Sequence, residues 1–129
     1  MILVLGATGT TGGEVARQLI KAGQSPRLLV RAASRARAFE GRAEIVEGDL
    51  ASPQSLATAM KGIGKLYLVS GTHGGIDPEL EGNAIVAAKA QGVKHVVKLS
   101  VVGAEASTRS ASCTPGRRLV CANRVWRGP

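Results

Sequence analysis

The sequence predicts an α/β fold in which parallel strands form a sheet between helices. Short apolar runs alternate with helical stretches along the chain, as in successive strand–helix–strand units. Apolar residues make up 44% of the 129 residues and aromatic residues only 2%, so the core must be aliphatic, as is typical of buried parallel strands. A chain of this length fits one domain.

Five apolar runs bounded by turn residues are predicted to be strands. They cover residues 2–5, 27–30, 43–46, 65–69 and 95–99. Because crossovers between parallel strands are right-handed, a doubly wound sheet would arrange these strands in the order 3-2-1-4-5. The sequence therefore predicts a five-stranded, doubly wound parallel sheet.

Four helical stretches connect these strands and carry recognisable start and stop residues. They are predicted over residues 12–22, 34–39, 53–60 and 78–90. Ser52 and Asp77 each precede a proline, which is the arrangement of an N-cap followed by the first helical residue. Gly23 and Gly92 follow the first and last of these helices, where glycine commonly ends a helix.

The last part of the chain differs from the rest. Residues 105–129 lack a sustained helical or alternating period and contain five arginines, two prolines and both cysteines, Cys113 and Cys121. We therefore predict a folded domain over residues 1–104 and an irregular basic tail over 105–129, in which residues 118–126 could form a turn of helix. The cysteines lack the C-x2-C spacing of metal or redox motifs, so we expect no metal site.

Charge and hydropathy argue against two classes of partner. The net charge of +8 divides equally between residues 1–104, with twelve basic and eight acidic residues, and 105–129, with five basic and one acidic residue. No zinc spacing, helix-turn-helix pattern or basic face with interleaved aromatic residues accompanies this charge, so we do not expect nucleic-acid binding. No apolar run reaches the ~18 residues that a membrane span needs, and no leader-like segment opens the chain. We expect a cytoplasmic protein that does not bind membranes.

A glycine-rich loop directly after the first strand carries the clearest functional signal. Its glycines are Gly6, Gly9 and Gly12. In a strand–loop–helix unit, such glycines permit a tight turn, close approach of a pyrophosphate and close helix–strand contact, while helix N–H groups face the phosphates. Three hydroxyl groups could add hydrogen bonds, those of Thr8, Thr10 and Thr11. Glycines also serve tight turns without any ligand, but the complete strand–loop–helix context predicts a Rossmann-type dinucleotide site.

The residues after the second strand favour NADP(H) over NAD(H). Rossmann domains that bind NAD place an acidic residue here, on the ribose 2′-hydroxyl, whereas an arginine accommodates the 2′-phosphate of NADP. This chain has Arg31, followed by Ser34 and Arg35, whose guanidinium and hydroxyl groups could hold the phosphate. The alternative is a solvated basic helix start, which is our interpretation of Arg37 and Arg42.

Two further segments follow strands and are predicted to border the cofactor. Asp49 and Leu50 follow the third strand, where the adenine should lie, and Asp49 could accept a hydrogen bond from its amino group. Asp49 could equally help to cap the helix that follows Ser52. Ser70 and Gly71 follow the fourth strand and would pass beside the ribose or the pyrophosphate.

Together these segments resemble the NmrA-like NAD(P)-binding branch of the atypical short-chain dehydrogenase/reductases. The similar segments are GATGTTGG at 6–13, LLVR at 28–31, EGDL at 47–50 and NAIVAAKAQGVKHVVKLS at 83–100. The resemblance covers residues 1–104 and implies a cytoplasmic NADP(H)-binding protein. Because the family includes quinone and azo-dye reductases, phenylpropanoid reductases and catalytically silent redox sensors, the resemblance leaves the reaction open.

The chain departs from the family in its proton donor. Short-chain dehydrogenases usually take the acid from Tyr-x-x-x-Lys, but the single tyrosine, Tyr67, is followed four residues later by Gly71 and is interpreted as a core residue. Ser100 ends the fifth strand, where the family often has a serine near the nicotinamide. It could hydrogen-bond a substrate, and the alternative is an ordinary turn residue, so the catalytic residue stays unknown with Ser100 as a candidate. His73 is a weaker candidate for proton transfer, and Lys98 is interpreted as a surface strand residue.

The chain also departs from the family in length. Such proteins are usually about twice as long and continue into a sixth strand and a substrate-binding part. We therefore interpret this chain as C-terminally truncated relative to the family, with a tail that a frameshift or an early stop could have produced.

The residues and the resemblance support three hypotheses about function. The first is an NADP(H)-binding domain resembling oxidoreductases that transfer hydride to a small-molecule quinone or carbonyl substrate. The second is a non-catalytic module that senses NADP(H) and signals to a protein partner, and the third is an inactive truncated product. An uncovered side of the fifth strand would also favour self-association.

Overall fold

The computed structural model describes residues 1–69, 78–99 and 126–127. In chain order the elements are β1 (Ile2–Leu5), α1 (Thr10–Lys21), β2 (Arg27–Val30), a 3₁₀ helix (Ala33–Phe39), β3 (Glu44–Glu47), α2 (Pro53–Met60), β4 (Lys65–Leu68), α3 (Pro78–Ala90), β5 (His95–Lys98) and β6 (Trp126–Arg127). The described part of the chain therefore has the predicted alternation of strands and helices.

One sheet joins the strands in the order β3-β2-β1-β4-β5-β6. The first five strands are parallel to their neighbours, which confirms the predicted order 3-2-1-4-5. β6 pairs antiparallel with β5, with Arg127 opposite His95 and Trp126 opposite Val96. An edge strand has unpaired N–H and C=O groups, and a short extended segment such as β6 satisfies part of them.

Of the tail predicted over residues 105–129, the structure describes only β6. Trp126 lies in this strand, so the helical turn predicted over residues 118–126 does not extend to its last residue. Cys113 and Cys121 lie outside the described residues.

The element boundaries follow the sequence predictions closely. β1, β2, α2 and α3 have the predicted bounds. β3 begins and ends one residue later than predicted, β4 and β5 each end one residue earlier, and the helix predicted over 34–39 is a 3₁₀ helix that starts at Ala33. α1 begins at Thr10 and not at Gly12, because Gly9 is extended (φ −87°, ψ 173°) and serves as its N-cap.

Glycines end α1 and α3 as predicted. Gly23 has φ +78° and Gly92 has φ +72°, a backbone region that residues with a Cβ rarely adopt. At the end of α1, the N–H groups of Gly23 and Gln24 donate to the carbonyls of Ile20 and Leu19, each at 3.0 Å. These bonds satisfy carbonyls that the end of a helix leaves without intrahelical partners.

Two aliphatic clusters pack on opposite faces of the sheet. On one face the sheet packs against α2 and α3, and the fully buried members of this cluster include Leu3, Leu5, Leu56, Met60, Leu66 and Leu68. On the other face, Val4, Leu28 and Val30 pack with Ala16 of α1 and Phe39 of the 3₁₀ helix. Helices on both faces of a parallel sheet are the predicted doubly wound arrangement.

Ser52 caps α2 as the sequence predicts. Its hydroxyl oxygen accepts a hydrogen bond from the N–H of Ser55 at 3.3 Å, and Pro53 is the first helical residue. We expect Ser52→Ala to lower the free energy of unfolding by about 1 kcal/mol, because an orphan N–H group loses its acceptor. Urea denaturation would measure this change, and Ser52→Asp, which keeps an acceptor, should retain most of the stability. An unchanged midpoint in Ser52→Ala would contradict the capping role.

Candidate functional site

The sheet reverses its winding direction between β1 and β4. From β1 the chain crosses over to β2 on one side, whereas from β4 it crosses to β5 on the other. In open α/β sheets, ligands bind outside the carboxyl ends of the strands at such a point. The glycine-rich loop leaves β1 at this position, so the topology places the predicted cofactor loop where a ligand is expected.

Gly6 turns the chain sharply out of β1. Its φ is +72°, and a Cβ built on it would lie 2.5 Å from the carbonyl oxygen of Val69, the residue after β4. The N–H of Gly9 donates to the carbonyl of Gly6 at 3.0 Å, which closes the turn. Only glycine satisfies both the positive φ and the close approach of the β4 backbone.

Gly12 brings α1 close to the same loop. A Cβ on Gly12 would lie 2.2 Å from the carbonyl oxygen of Gly6, so α1 packs directly against the turn. Gly9 is exposed, and a Cβ there would lie 3.3 Å from the Gly6 oxygen. The loop therefore presents backbone without an intervening side chain at Gly9, and this surface is accessible to a large ligand such as a pyrophosphate.

The first turn of α1 supplies unpaired donors. Among the described residues, the N–H groups of Thr10, Thr11 and Gly12 donate to no acceptor. Three exposed threonines, Thr8, Thr10 and Thr11, lie at or close to these N–H groups in the sequence. No side chain caps the helix. The start of a helix carries a partial positive charge, so these groups favour an anion.

Acidic side chains do not oppose an anion at this helix start. The first turn of α1 contains no acidic residue. Glu14 lies one turn further along and accepts a hydrogen bond from Gln18 at 2.7 Å and one from Arg17 at 3.2 Å. These two contacts, with the Gln18 bond as the larger cause, lower the pKa of Glu14 below its ordinary value. Its carboxylate is thus engaged along the helix surface.

Arg31, Ser34 and Arg35 form a second polar segment at the end of β2. All three are exposed, with Arg31 directly after the strand and the other two in the 3₁₀ helix. Neither arginine has a carboxylate oxygen of a described residue within 4.0 Å. The two positive charges are therefore available to a ligand, as the predicted phosphate clamp requires.

Glu47 contacts this segment, which the sequence analysis did not foresee. Its Oε1 accepts a hydrogen bond from the N–H of Ala33 at 2.7 Å. β2 and β3 run parallel with Val30 opposite Glu47, so the two strands end side by side. The signal available in the sequence was the predicted parallel pairing of these two strands, because the residue that ends β3 must then lie beside the residues that leave β2.

Asp49 supports the turn before α2 but does not cap the helix. Its Oδ1 accepts from the N–H of Ala51 at 2.9 Å, and its carbonyl accepts from Ser52 at 3.0 Å, while the cap itself is the Ser52 hydroxyl. Leu50 is half-buried, and its carbonyl accepts from the Asn83 amide at 3.3 Å. The predicted contact of Asp49 and Leu50 with adenine stays a prediction.

Lys98 is not the surface residue that we expected. Its Nζ lies 2.5 Å from Oε2 of Glu81, and the side chains are only 15% and 5% exposed. Residues alternate between the two faces of a strand, so Lys98 lies on the same face as buried Val96, under α3. A buried pair of this kind ties the start of α3 to the end of β5, since leaving either charge alone would be costly.

The remaining site predictions fall on residues outside the described ranges or on the core. Ser70, Gly71, His73 and Ser100 lie outside the described residues. Tyr67 is half-buried and packs against the cluster on the α1 face of the sheet, which confirms its interpretation as a core residue.

The described part of the chain contains neither a candidate metal cluster nor a candidate membrane span. Within residues 1–69 and 78–99, no group of three or more His, Cys, Asp or Glu side chains could hold a metal ion. No helix in the described part of the chain is long and apolar enough to cross a membrane.

Comparison with known proteins shows the family to which the chain belongs. The model of a family described as NAD(P)H-binding matches residues 6–119. An NAD(P)H azoreductase from Xenophilus azovorans is 39% identical over 107 residues, which are 81% of this chain and 36% of that protein. A photosystem II assembly factor from Cyanophora paradoxa is 36% identical over 114 residues, 81% of this chain and 35% of that protein.

The fold also matches solved structures. A crystal structure of an NADPH-dependent quinone oxidoreductase from Escherichia coli, complexed with NADPH, has a TM-score of 0.75 and 32% sequence identity. The match covers 83% of this chain and 39% of that chain. The chain thus spans less than half of the length of the relatives that it matches.

Proposed function

Because the chain belongs to the NAD(P)H-binding family, we propose that it binds NADP(H) in preference to NAD(H), as a member of the NmrA-like branch of that family. The observation that carries the proposal is that a glycine-rich loop at the start of α1 occurs together with two arginines after β2. No carboxylate oxygen of a described residue lies within 4.0 Å of either arginine. The glycine-rich loop is suited to the pyrophosphate that both cofactors share, and the arginines are suited to the 2′-phosphate that only NADP(H) carries.

The pyrophosphate would bind between the glycine loop and α1. Gly9 is exposed and has no side chain to block its approach, and Gly12 allows α1 to lie close to the loop, since a Cβ there would lie 2.2 Å from the carbonyl oxygen of Gly6. The free N–H groups of the first turn would donate to it, with help from the hydroxyl groups of Thr8, Thr10 and Thr11.

The adenosine end would lie across β2 and β3. Arg31, Ser34 and Arg35 would hold the 2′-phosphate through charge-assisted hydrogen bonds. Asp49 and Leu50 would border the adenine, because they follow β3 at the same edge of the sheet. Ser70 and Gly71, which follow β4 in the sequence, are proposed to pass beside the ribose or the pyrophosphate.

The proposed reaction is hydride transfer to a small-molecule quinone or carbonyl substrate in the cytoplasm. Bound NADPH would supply the hydride, and the protein would position it. An azoreductase and a quinone oxidoreductase are among the proteins that this chain resembles. Ser100 is the proposed hydrogen-bonding residue for the substrate.

Three observations favour a second candidate, a module that senses NADP(H) and binds a protein partner without turnover. Tyr67 packs on the sheet and has Gly71 four residues later, so it does not form a Tyr-x-x-x-Lys motif. A photosystem II assembly factor is also among the similar proteins. Val97 of β5 and Leu99, the residue after that strand, are 40% and 39% exposed and would serve a protein partner or a second copy of the chain.

Titration of the purified chain with NADPH and with NADH, followed by nucleotide fluorescence, tests the cofactor proposal. We expect NADPH to bind at least about tenfold more tightly, a difference of about 1.4 kcal/mol, because only NADPH has a 2′-phosphate. Added salt should reduce this difference, since both arginines are exposed and their charges are screened. Equal affinities, or no binding by a folded sample, would refute the proposal.

Turnover separates the two candidate functions. The oxidation of NADPH is measured as the decrease in NADPH absorbance in the presence of a benzoquinone or an azo dye. Stoichiometric oxidation of NADPH by the added substrate supports the reductase. Tight NADPH binding without oxidation supports the sensing module.

A further inference from the structure

We propose that Glu47 is a positioning residue that sets the preference for NADP(H) over NAD(H). It would act by holding the segment after β2 that carries Arg31, Ser34 and Arg35. This inference rests on the proposed function, because it concerns the same 2′-phosphate site.

Glu47 serves as an external cap for the 3₁₀ helix. The residue at the N-cap position, Ala32, has an extended backbone and no side-chain acceptor. The N–H of Ala33, the first residue of the helix, donates instead to Oε1 of Glu47 at 2.7 Å. Hydrogen bonds to an ionised carboxylate are shorter and stronger than those between neutral groups. The start of the 3₁₀ helix is thus fixed by a residue of the neighbouring strand.

The backbone that carries Glu47 is itself closely packed. Glu47 pairs with Val30 in the β2–β3 register, and the N–H of Gly48 donates to the Val30 carbonyl at 2.9 Å. A Cβ on Gly48 would lie 2.8 Å from the Cβ of Ser55 and 2.9 Å from Cδ1 of Leu29. Ser55 and Leu29 therefore pack closely against the backbone of Gly48, and this packing holds the chain directly after Glu47, whose own side chain is exposed.

The carboxylate contacts an amide and not the neighbouring arginines. No carboxylate oxygen of Glu47 lies within 4.0 Å of a guanidinium nitrogen of Arg31 or Arg35, although these are the closest basic residues in sequence to Ala33. If the Glu47 carboxylate paired with an arginine, a phosphate would have to displace that carboxylate before it could bind the arginine. The bond to Ala33 holds the segment while both guanidinium groups keep their charge for a ligand.

Only NADP(H) binding should depend on this arrangement. NADPH and NADH share the pyrophosphate, adenine and nicotinamide, and the 2′-phosphate is the sole difference between them. A change in the position of residues 31–35 therefore alters affinity for NADPH while the glycine loop continues to bind both. Loss of general stability would weaken both nucleotides together.

Four variants of β3 provide the test. Glu47→Ala and Glu47→Met remove the acceptor, and Met preserves the length of the side chain in case Ala impairs folding. Glu47→Gln removes the charge but keeps an oxygen acceptor for Ala33. Glu44→Ala is the matched control, because Glu44 lies on the same strand but faces Arg27, at 3.0 Å from its Nε.

NADPH and NADH affinities of the four variants and the parent chain are measured by fluorescence titration, with urea midpoints as a check on folding. We expect Glu47→Ala and Glu47→Met to weaken NADPH about tenfold, the effect of losing a hydrogen bond to a charged group, and to leave NADH unchanged. Glu47→Gln should stay within about threefold of the parent chain for NADPH, since the acceptor remains. Glu44→Ala should leave the ratio of the two affinities unchanged.

Several results would overturn the inference. Equal losses for NADPH and NADH would show a general structural role, and a loss in Glu47→Gln as large as in Glu47→Ala would show that the hydrogen bond is not the cause. A parent chain that prefers NADPH, with the same preference in Glu47→Ala and Glu47→Met, refutes the role of Glu47 alone. A parent chain without preference for NADPH refutes the proposed function as well.

Discussion

Replacing Gly12 with alanine is expected to abolish nucleotide binding and to lower the free energy of unfolding by about 2–4 kcal/mol. The new Cβ would lie 2.2 Å from the carbonyl oxygen of Gly6 and 2.6 Å from its carbonyl carbon. Both are backbone atoms of a turn that is held against β4, so neither can rotate away. α1 would have to move off the loop, and its free N–H groups would no longer face the phosphates.

The matched control is Gly82→Ala in α3. Both glycines are helical, but nothing lies within 4 Å of a Cβ built on Gly82. We expect this control to stabilise the protein by about 0.5–1 kcal/mol, because alanine loses less backbone entropy in a helix. Urea denaturation and NADPH titration measure both variants. A Gly12→Ala protein as stable and as competent in binding as the parent chain would contradict the described approach of α1 to the loop.

Replacing Arg31 with aspartate is expected to weaken NADPH about a hundredfold, or about 2.7 kcal/mol, and NADH less than about threefold. The change removes a guanidinium that we propose binds the 2′-phosphate and places a carboxylate beside it, which would repel the phosphate. An aspartate at this position suits the 2′-hydroxyl of NADH, so the preference between the cofactors should be lost or inverted. Arg31 is exposed, so the fold should remain intact.

Arg37→Asp is the control for the change in net charge. Arg37 is also exposed and lies in the last turn of the 3₁₀ helix, beyond the proposed clamp. Fluorescence titration with both nucleotides at low and at physiological salt should show a small, salt-sensitive loss in Arg37→Asp and a large, specific loss in Arg31→Asp. Equal losses in the two variants would mean that the net charge of the surface, and not a phosphate clamp, attracts the cofactor.

Local patterns in the sequence predicted most of the fold. The bounds of β1, β2, α2 and α3 follow from apolar runs, from a Ser-Pro or Asp-Pro start, and from the glycines that end α1 and α3. Each of these signals acts within one or two helical turns or along a single strand, so it can be detected without knowledge of distant contacts. α1 begins two residues before the predicted start, because its N-cap is the extended Gly9 and no capping side chain marks that position in the sequence.

Contacts between distant segments could not be predicted in this way. Lys98 was assigned to the surface, but its partner Glu81 lies on another element, and only the packing of α3 on β5 buries the pair. Arg27 likewise donates to the carbonyls of Ala59 and Lys61, at 2.9 and 2.7 Å, across more than thirty residues of chain. Nothing in the local sequence identifies these partners.

The amino-acid sequence alone determined the parallel sheet, its order and the glycine loop after β1, because periodicity and glycine placement are local properties of the chain. Only the tertiary structure decided that Glu47 binds Ala33 while Arg31 and Arg35 keep their charges for a ligand. The sequence does not show whether a carboxylate that lies near both backbone amides and guanidinium groups pairs with an amide or with a guanidinium group. The register of β2 against β3 sets which of them lies within hydrogen-bond distance.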